Sequence, residues 1–250
     1  FLLRALVRED ADDASPLRVW RSYRDGGARI PGFLEDHAAL GVACLALHEL
    51  TFDARWLHRA RRLADACVVH FWDDGTNSFH DTADDAEQLV VRPRDPTDQA
   101  APSGTSLATE LLARLGDILA DADYRRRATF VAESLAEPMA QHPTAFGHLL
   151  GVADLLAHGS VELAIIGEPG TADVEALQRA AGSVYVPPLV LAGGPPRDDI
   201  ALLEGRSALQ GRATAYVCRN YACEAPACDA GALAEQLRAT RGLRAGTPRP

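Results

Sequence analysis

The side chains best able to do chemistry in this chain crowd into one stretch, residues 77–106, which reads NSFHDTADDAEQLVVRPRDPTDQAAPSGTS. It starts as a turn, continues through alternating residues that predict a short hairpin, and ends at Pro102-Ser103-Gly104, a helix start. His80, Asp81, Asp84, Asp85, Glu87, Arg92, Arg94, Asp95 and Asp98 lie within it. A histidine beside carboxylates can take or give a proton near neutral pH, so His80 and Asp81 are candidate catalytic residues. Asp98 joins them, as does Asp36 of the upstream Glu35-Asp36-His37, if that helix start faces the same side. Candidate substrate contacts are His37, Arg92, Arg94 and Asp95, together with Ser103 and Thr105, because helix N-terminal amides behind a Ser/Gly/Thr turn can hold a carboxylate or phosphate. Structural readings stand beside these: Asp36, Ser103 and Thr105 as helix caps, and His80 and Asp81 as a solvated turn. There is no Walker motif and no GxGxxG, and neither a metal nor a cofactor is predicted.

Such a loop needs a scaffold, and its neighbours read as helices of two kinds. Residues 34–50 contain AALGVACLAL, apolar on nearly every face, and predict a helix buried on all sides. Residues 54–72 place Trp56, Leu57, Ala60, Leu63, Cys67, His70 and Phe71 on one stripe and Arg55, Arg59, Arg62 and Asp65 on the other. The alternation recurs: 106–120 apolar, 124–137 amphipathic, 144–157 apolar again. Inner, outer, inner, outer, inner is the order a ring of helical hairpins requires. The fold class is therefore mainly α, a partial (α/α)6 toroid over residues 1–158 with the polar loop at its mouth. Ahead of it, LRVWRSY reads as a strand entering a hairpin turn at Asp25-Gly26-Gly27, after an acidic break over 9–13.

Past Gly159 the pattern becomes α/β. A buried strand is expected at 161–166, a helix at 171–181, one or two strands within 184–191, a strand at 213–218, and a helix at 229–240 capped by Asp229. This small α/β region covers 159–240, and 241–250 reads as a flexible tail. Cys218, Cys223 and Cys228 follow C-x4-C-x4-C, which departs from zinc-site spacing. A disulfide or redox role for Cys218 and Cys223 stays open beside a plain reading of Cys218 as a small hydrophobe.

At 250 residues, 47% hydrophobic and 24% charged, the chain can bury a real core. A net charge of -10, with arginines spread over helix faces, excludes nucleic acid or an anionic membrane as main partner. No apolar run approaches the roughly 20 residues that span a bilayer. No signal peptide is visible, and five irregularly spaced cysteines predict a reducing, cytoplasmic setting. The absence of an initiator Met, with a helix-like pattern already under way at Phe1, predicts a fragment of something longer.

Five ordered segments carry a resemblance: FLEDHAAL with LALHELTFDARWL, FHDTADDAEQLVVRPRD, APSGTSLATELLARL, ELAIIGEPG, and GRATAYVCRNYAC. Over residues 17–237 the chain resembles the C-terminal part of the thioredoxin-domain-containing proteins related to spermatogenesis-associated protein 20 and their bacterial counterparts. The resemblance implies an N-terminal thioredoxin-like domain absent here. It also implies a toroid similar to N-acylglucosamine 2-epimerases and six-hairpin glycosidases. Where that family reads Asp-Tyr-Ala, Gly-Gly-Phe-Phe-Asp-Thr and Asp-Gly-Ala, this chain has Asp36-His37-Ala38, Asn77-Ser78-Phe79-His80-Asp81-Thr82 and Asp98-Gln99-Ala100. The expected function is a carbohydrate-active site of epimerase, isomerase or glycosidase type, taking a sugar-sized molecule at the mouth. The alternative is a non-catalytic or redox-linked platform for the thioredoxin-like domain.

Overall fold

The computed structural model describes residues 1–8, 15–87, 90–219 and 222–240. The predicted acidic break at 9–13 and flexible tail at 241–250 lie outside the described residues, as do Gln88 and Leu89 of the polar stretch. The chain is mainly helical, with small sheets, and divides into two compact units. One comprises residues 1–45, 55–113 and 123–152; the other comprises 46–54, 114–122 and 153 onward. Among the described residues no helix is long and apolar enough to cross a membrane.

In the first unit, α1 (Leu2–Ala5) and β1 (Val7–Arg8) precede β2 (Arg18–Arg24) and β3 (Gly27–Pro31), which form an antiparallel sheet in the order β1-β2-β3. Asp25 and Gly26 both take left-handed backbone, φ 52° and 79°, as the two-residue turn between twisted strands requires. α2 (Leu34–Thr51) and α3 (Ala54–Phe71) follow, then a short hairpin of β4 (Trp72–Asp73) and β5 (Ser78–Phe79). α4 (Gly104–Leu119), α5 (Ala122–Ser134), α6 (Ala136–Gln141) and α7 (Gly147–His158) complete the helical set, with α2 from residue 46, α4 from 114 and α7 from 153 belonging to the second unit. The five predicted helices fall on α2, α3, α4, α5 with α6, and α7. The hairpin expected inside 77–106 shrinks to Ser78–Phe79. Pro93, Pro96 and Pro102 remove the amides a longer ladder would need.

α2 and α4 meet closely. A side chain at Gly104 would put its Cβ 2.9 Å from the Glu35 amide nitrogen, so the starts of the two helices touch backbone to backbone. One turn in, Gly41 leaves room for Leu111, whose Cδ2 would lie 2.4 Å from a Cβ. Leu34, Ala38, Leu63, Phe71, Leu111, Leu112 and Leu149 are fully buried in this unit. Two expectations need correction. α2 is not buried on all sides: Ala39, Ala43, Ala46, Leu47 and Leu50 form an exposed stripe, Leu50 at 71% exposure. Arg62, expected outward on α3, is buried, because its Nε donates to the Ser15 carbonyl at 2.7 Å and its own carbonyl accepts from the Leu17 amide at 2.9 Å.

The second unit contains β6 (Val161–Ile166), α8 (Ala172–Gly182), β7 (Leu189–Gly194), β8 (Thr214–Arg219), β9 (Ala222–Cys223) and α9 (Ala230–Thr240). The sheet order is β7-β6-β8-β9; β6 and β7 are parallel across α8, while β8 and β9 are antiparallel additions. Val161, Leu163, Ile165, Val174, Leu177, Leu191, Val217, Leu233 and Leu237 form its core with Phe52. Phe52 leaves α2 with φ 53° and lays its ring where a Cβ on Gly193 would come within 2.4 Å. Asp229 caps α9 as expected, accepting from the Ala232 amide at 2.9 Å. Cys218 and Cys223 are joined by a disulfide, one of the alternatives left open by their spacing. Cys44, Cys67 and Cys228 are free thiols.

Two glycine replacements should act in opposite directions. Gly104→Ala forces apart the starts of α2 and α4 and should lower stability by about 1–3 kcal/mol. Gly151→Ala, on an exposed face of α7 with open space around it, should raise stability by about 0.5–1 kcal/mol. Urea unfolding midpoints of the two variants check this; a shift of both in one direction contradicts it.

Candidate functional site

The polar loop is fixed to helix starts in the first unit. Asp98 accepts the Ser103 amide at 2.9 Å on one oxygen and the His148 amide at 2.8 Å on the other, bridging the starts of α4 and α7. Its own amide donates to the Ala145 carbonyl at 2.8 Å. Burial acts to raise the Asp98 carboxyl, but the amides of Ser103, His148 and Leu149 and the Ser106 hydroxyl outweigh it and hold the group below the usual carboxylate range. Ser103 is the α4 cap, with its Oγ accepting the Ser106 amide at 3.0 Å. Thr105 is buried in the first turn, its carbonyl accepting from the Thr109 hydroxyl at 2.7 Å.

At the start of α2, Asp36 accepts the Phe33 amide at 2.8 Å and pairs with Arg21 at 2.9 Å; Arg21 also reaches Glu35 at 2.6 Å. His37, one residue on, faces the core. Its Nδ1 donates to the Phe33 carbonyl at 2.8 Å and its Nε2 accepts from the Val19 amide at 3.2 Å. Burial lowers its pKa to about 4, so it stays neutral and is closed to a ligand. Asp81 differs from all of these. Its backbone carbonyl accepts the Leu34 amide, and its carboxylate accepts the Asp95 amide at 3.0 Å. Burial, then the charges of Asp95 and Glu35, raise its pKa against that hydrogen bond. Asp95 moves the opposite way, lowered by the hydroxyl and amide of Thr97.

His80 sits beside an arginine fork. Arg94 lies 3.1 and 2.8 Å from its two ring nitrogens, donates to Thr76 at 2.5 Å and Ser78 at 2.7 Å, and pairs with Asp73. Burial and then the charges of Arg92 and Arg94 lower the His80 pKa, so the imidazole is neutral at pH 7. The Gly75 amide, the Thr76 hydroxyl and Arg94 hold Asp73 down to about 2. Arg92 is turned to backbone, donating to the carbonyls of Thr82 at 2.5 Å and His70 at 3.2 Å. Thus His80 and Arg94 come together around Asp73, Asp81 meets Asp95 and Glu35, and Asp98 spans two helix starts. His37, Ser103 and Thr105 point into protein.

Sequence reasoning passed over Asp73, Glu110 and His148. His148 Nε2 donates to Glu110 at 2.8 Å. A histidine in the first turn of a helix opposes the dipole, and that was the available signal. Asp73 was legible only as a turn residue of Trp72-Asp73-Asp74-Gly75. Among the described residues, His70, Asp84 and Asp85 could each offer a metal one atom, all within 4.8 Å of one another. Arg18 already occupies both Asp85 oxygens at 2.9 Å, however, and its charge opposes a cation there.

The chain is 31% identical over 205 residues to spermatogenesis-associated protein 20 of Homo sapiens, covering 79% of this chain and 26% of that protein. The protein of the same name in Rattus norvegicus is 30% identical over 205 residues, with the same coverage. An uncharacterized protein of Caenorhabditis elegans is 25% identical over 209 residues, 80% of this chain and 28% of its own length. The chain spans about a quarter of the length of the curated relatives it matches. No protein-family model matches it.

The His148 pair gives a signed pH dependence. Glu110 raises the His148 pKa in the fold above its unfolded value, ordinarily about 6.5. The stabilisation is therefore complete below that value and is lost as pH rises through the folded value. Between about pH 6 and 8.5, unfolding midpoints of the native chain should fall more steeply than those of His148→Gln. Parallel curves would show that the pair contributes nothing.

Proposed function

We propose that this chain, homologous to one segment of spermatogenesis-associated protein 20, is part of an (α/α)6 toroid whose mouth binds a sugar-sized molecule and moves protons on it. The contact of the α2 and α4 starts at Gly104 supports a shared rim, as does the Asp98 bridge from α4 to α7. The observation that carries the chemistry is the contrast between Asp81 and Asp95. Two carboxylate residues joined by one hydrogen bond have environments that push them in opposite directions. Groups separated in this way divide acid and base roles between them. Asp81, half-buried, is the proton carrier, and Asp95, held below the usual carboxylate range, is the charged partner beside it. Asp36 and Asp98 hold the rim, and Arg94 with neutral His80 and Asp73 forms a polar wall suited to hydroxyl groups. In the longer protein, the thioredoxin-like domain implied by the resemblance is the proposed partner.

Two assays on a panel of sugars test this reading. Epimerase or isomerase chemistry incorporates solvent deuterium next to the carbonyl carbon of a reducing sugar or N-acylhexosamine, read by proton NMR. Glycosidase chemistry releases nitrophenol from nitrophenyl glycosides. Asp81→Asn should lower whichever rate is found by about 10²–10⁴-fold, the usual worth of a positioned acid/base group. Neither exchange, hydrolysis nor sugar binding anywhere in the panel would remove the proposal.

A further inference from the structure

The Cys218–Cys223 disulfide has two unlike ends. Cys218 is buried in β8, and Cys223 is exposed on the two-residue strand β9 at the edge of the sheet. The residues face each other directly in register. A cation is fixed at the inner sulfur: Arg206 Nη2 lies 3.5 Å from Cys218 Sγ. Its other terminal nitrogen donates to the Leu202 carbonyl at 2.5 Å, and the guanidinium sits 5.9 Å from the Tyr216 ring centre. Tyr216 is held in turn by its hydroxyl donating to the Ser207 carbonyl at 2.6 Å. The sheet does not hang on the bond, since β8 pairs with β6 along five positions and with Ala227 on its other side.

We propose that Cys218–Cys223 is a thiol–disulfide exchange site for an external dithiol, entered at Cys223, with Arg206 stabilising Cys218 as the leaving thiolate. An incoming thiolate attacks Cys223 Sγ. A new sulfur–sulfur bond forms there as the Cys218–Cys223 bond breaks, and the electron pair leaves on Cys218 beside the guanidinium. The second thiolate of the same dithiol then attacks its own sulfur in the mixed disulfide and expels Cys223 as a thiolate. The dithiol becomes a disulfide, the two cysteines hold its two electrons, and its protons pass to them or to solvent. The reverse sequence oxidises the pair at the expense of a disulfide partner. A positive group beside a thiolate favours it as leaving group and as resolving nucleophile. This site is independent of the proposed sugar chemistry, so Asp81→Asn should leave it intact.

The test follows reduction of the folded chain by dithiothreitol under native conditions, with quenching by alkylation and mass mapping. The native disulfide should open far faster than the chain unfolds, and Arg206→Gln should slow opening roughly tenfold. Opening only at the rate of global unfolding, or an unchanged rate in a folded Arg206→Gln chain, overturns the proposal. A second measurement needs no variant. Brief exposure to reduced glutathione should place the mixed disulfide on Cys223, distinguished by peptide mass from Cys218 and from the free thiol Cys228. An adduct on Cys218, or on neither cysteine of the pair, also overturns it.

Discussion

One carboxylate orders the first unit's polar end. Asp98 accepts an amide hydrogen bond at the start of α4 and another at the start of α7, and its own amide donates to the Ala145 carbonyl. Helix starts leave amides without intrahelical partners, and negative charge is favoured where dipoles point outward. A single side chain spanning two such ends fixes their separation more firmly than two independent caps would. The loop before it then has little freedom: Asp81 is pinned to Leu34 of α2 through its backbone, and Gly104 keeps α4 against that same helix start. Position and charge at this end of the unit follow from those few constraints.

The acidic residues here divide by what they accept. Asp36, Asp73, Asp95 and Asp98 each accept at least two amide, hydroxyl or guanidinium donors. Asp81 receives one amide and sits deeper among like charges. Burial without compensation is what lifts a carboxyl toward proton-carrying range; burial with several donors does the reverse. The same rule separates His37, sealed between two backbone groups, from His148, which Glu110 pulls the other way.

Much of the helical order was legible because apolar periodicity is local: α2, α3, α4, α5 and α7 each announce themselves within one window. So does the turn at Asp25-Gly26-Gly27, where two left-handed residues are needed in succession. What stayed hidden depends on which side of an element meets what. AALGVACLAL contains no polar face, so its letters cannot tell that Ala39, Ala43 and Leu50 remain in water. Neighbouring helix positions are turned about 100° apart, and that alone turns Asp36 toward Arg21 and sends His37 to the core. The Asp73–Arg94 pair joins residues 21 apart across an irregular loop, and the cysteine bond needs the register of β8 and β9. Neither spacing has a local period to betray it.

The ring of Phe52 lying over Gly193 carries a consequence for how this sequence can drift. Any side chain at 193 runs into the ring, while shrinking Phe52 alone opens a hollow under β7. The two positions are thus coupled: a change at either is accommodated only by a compensating change at the other.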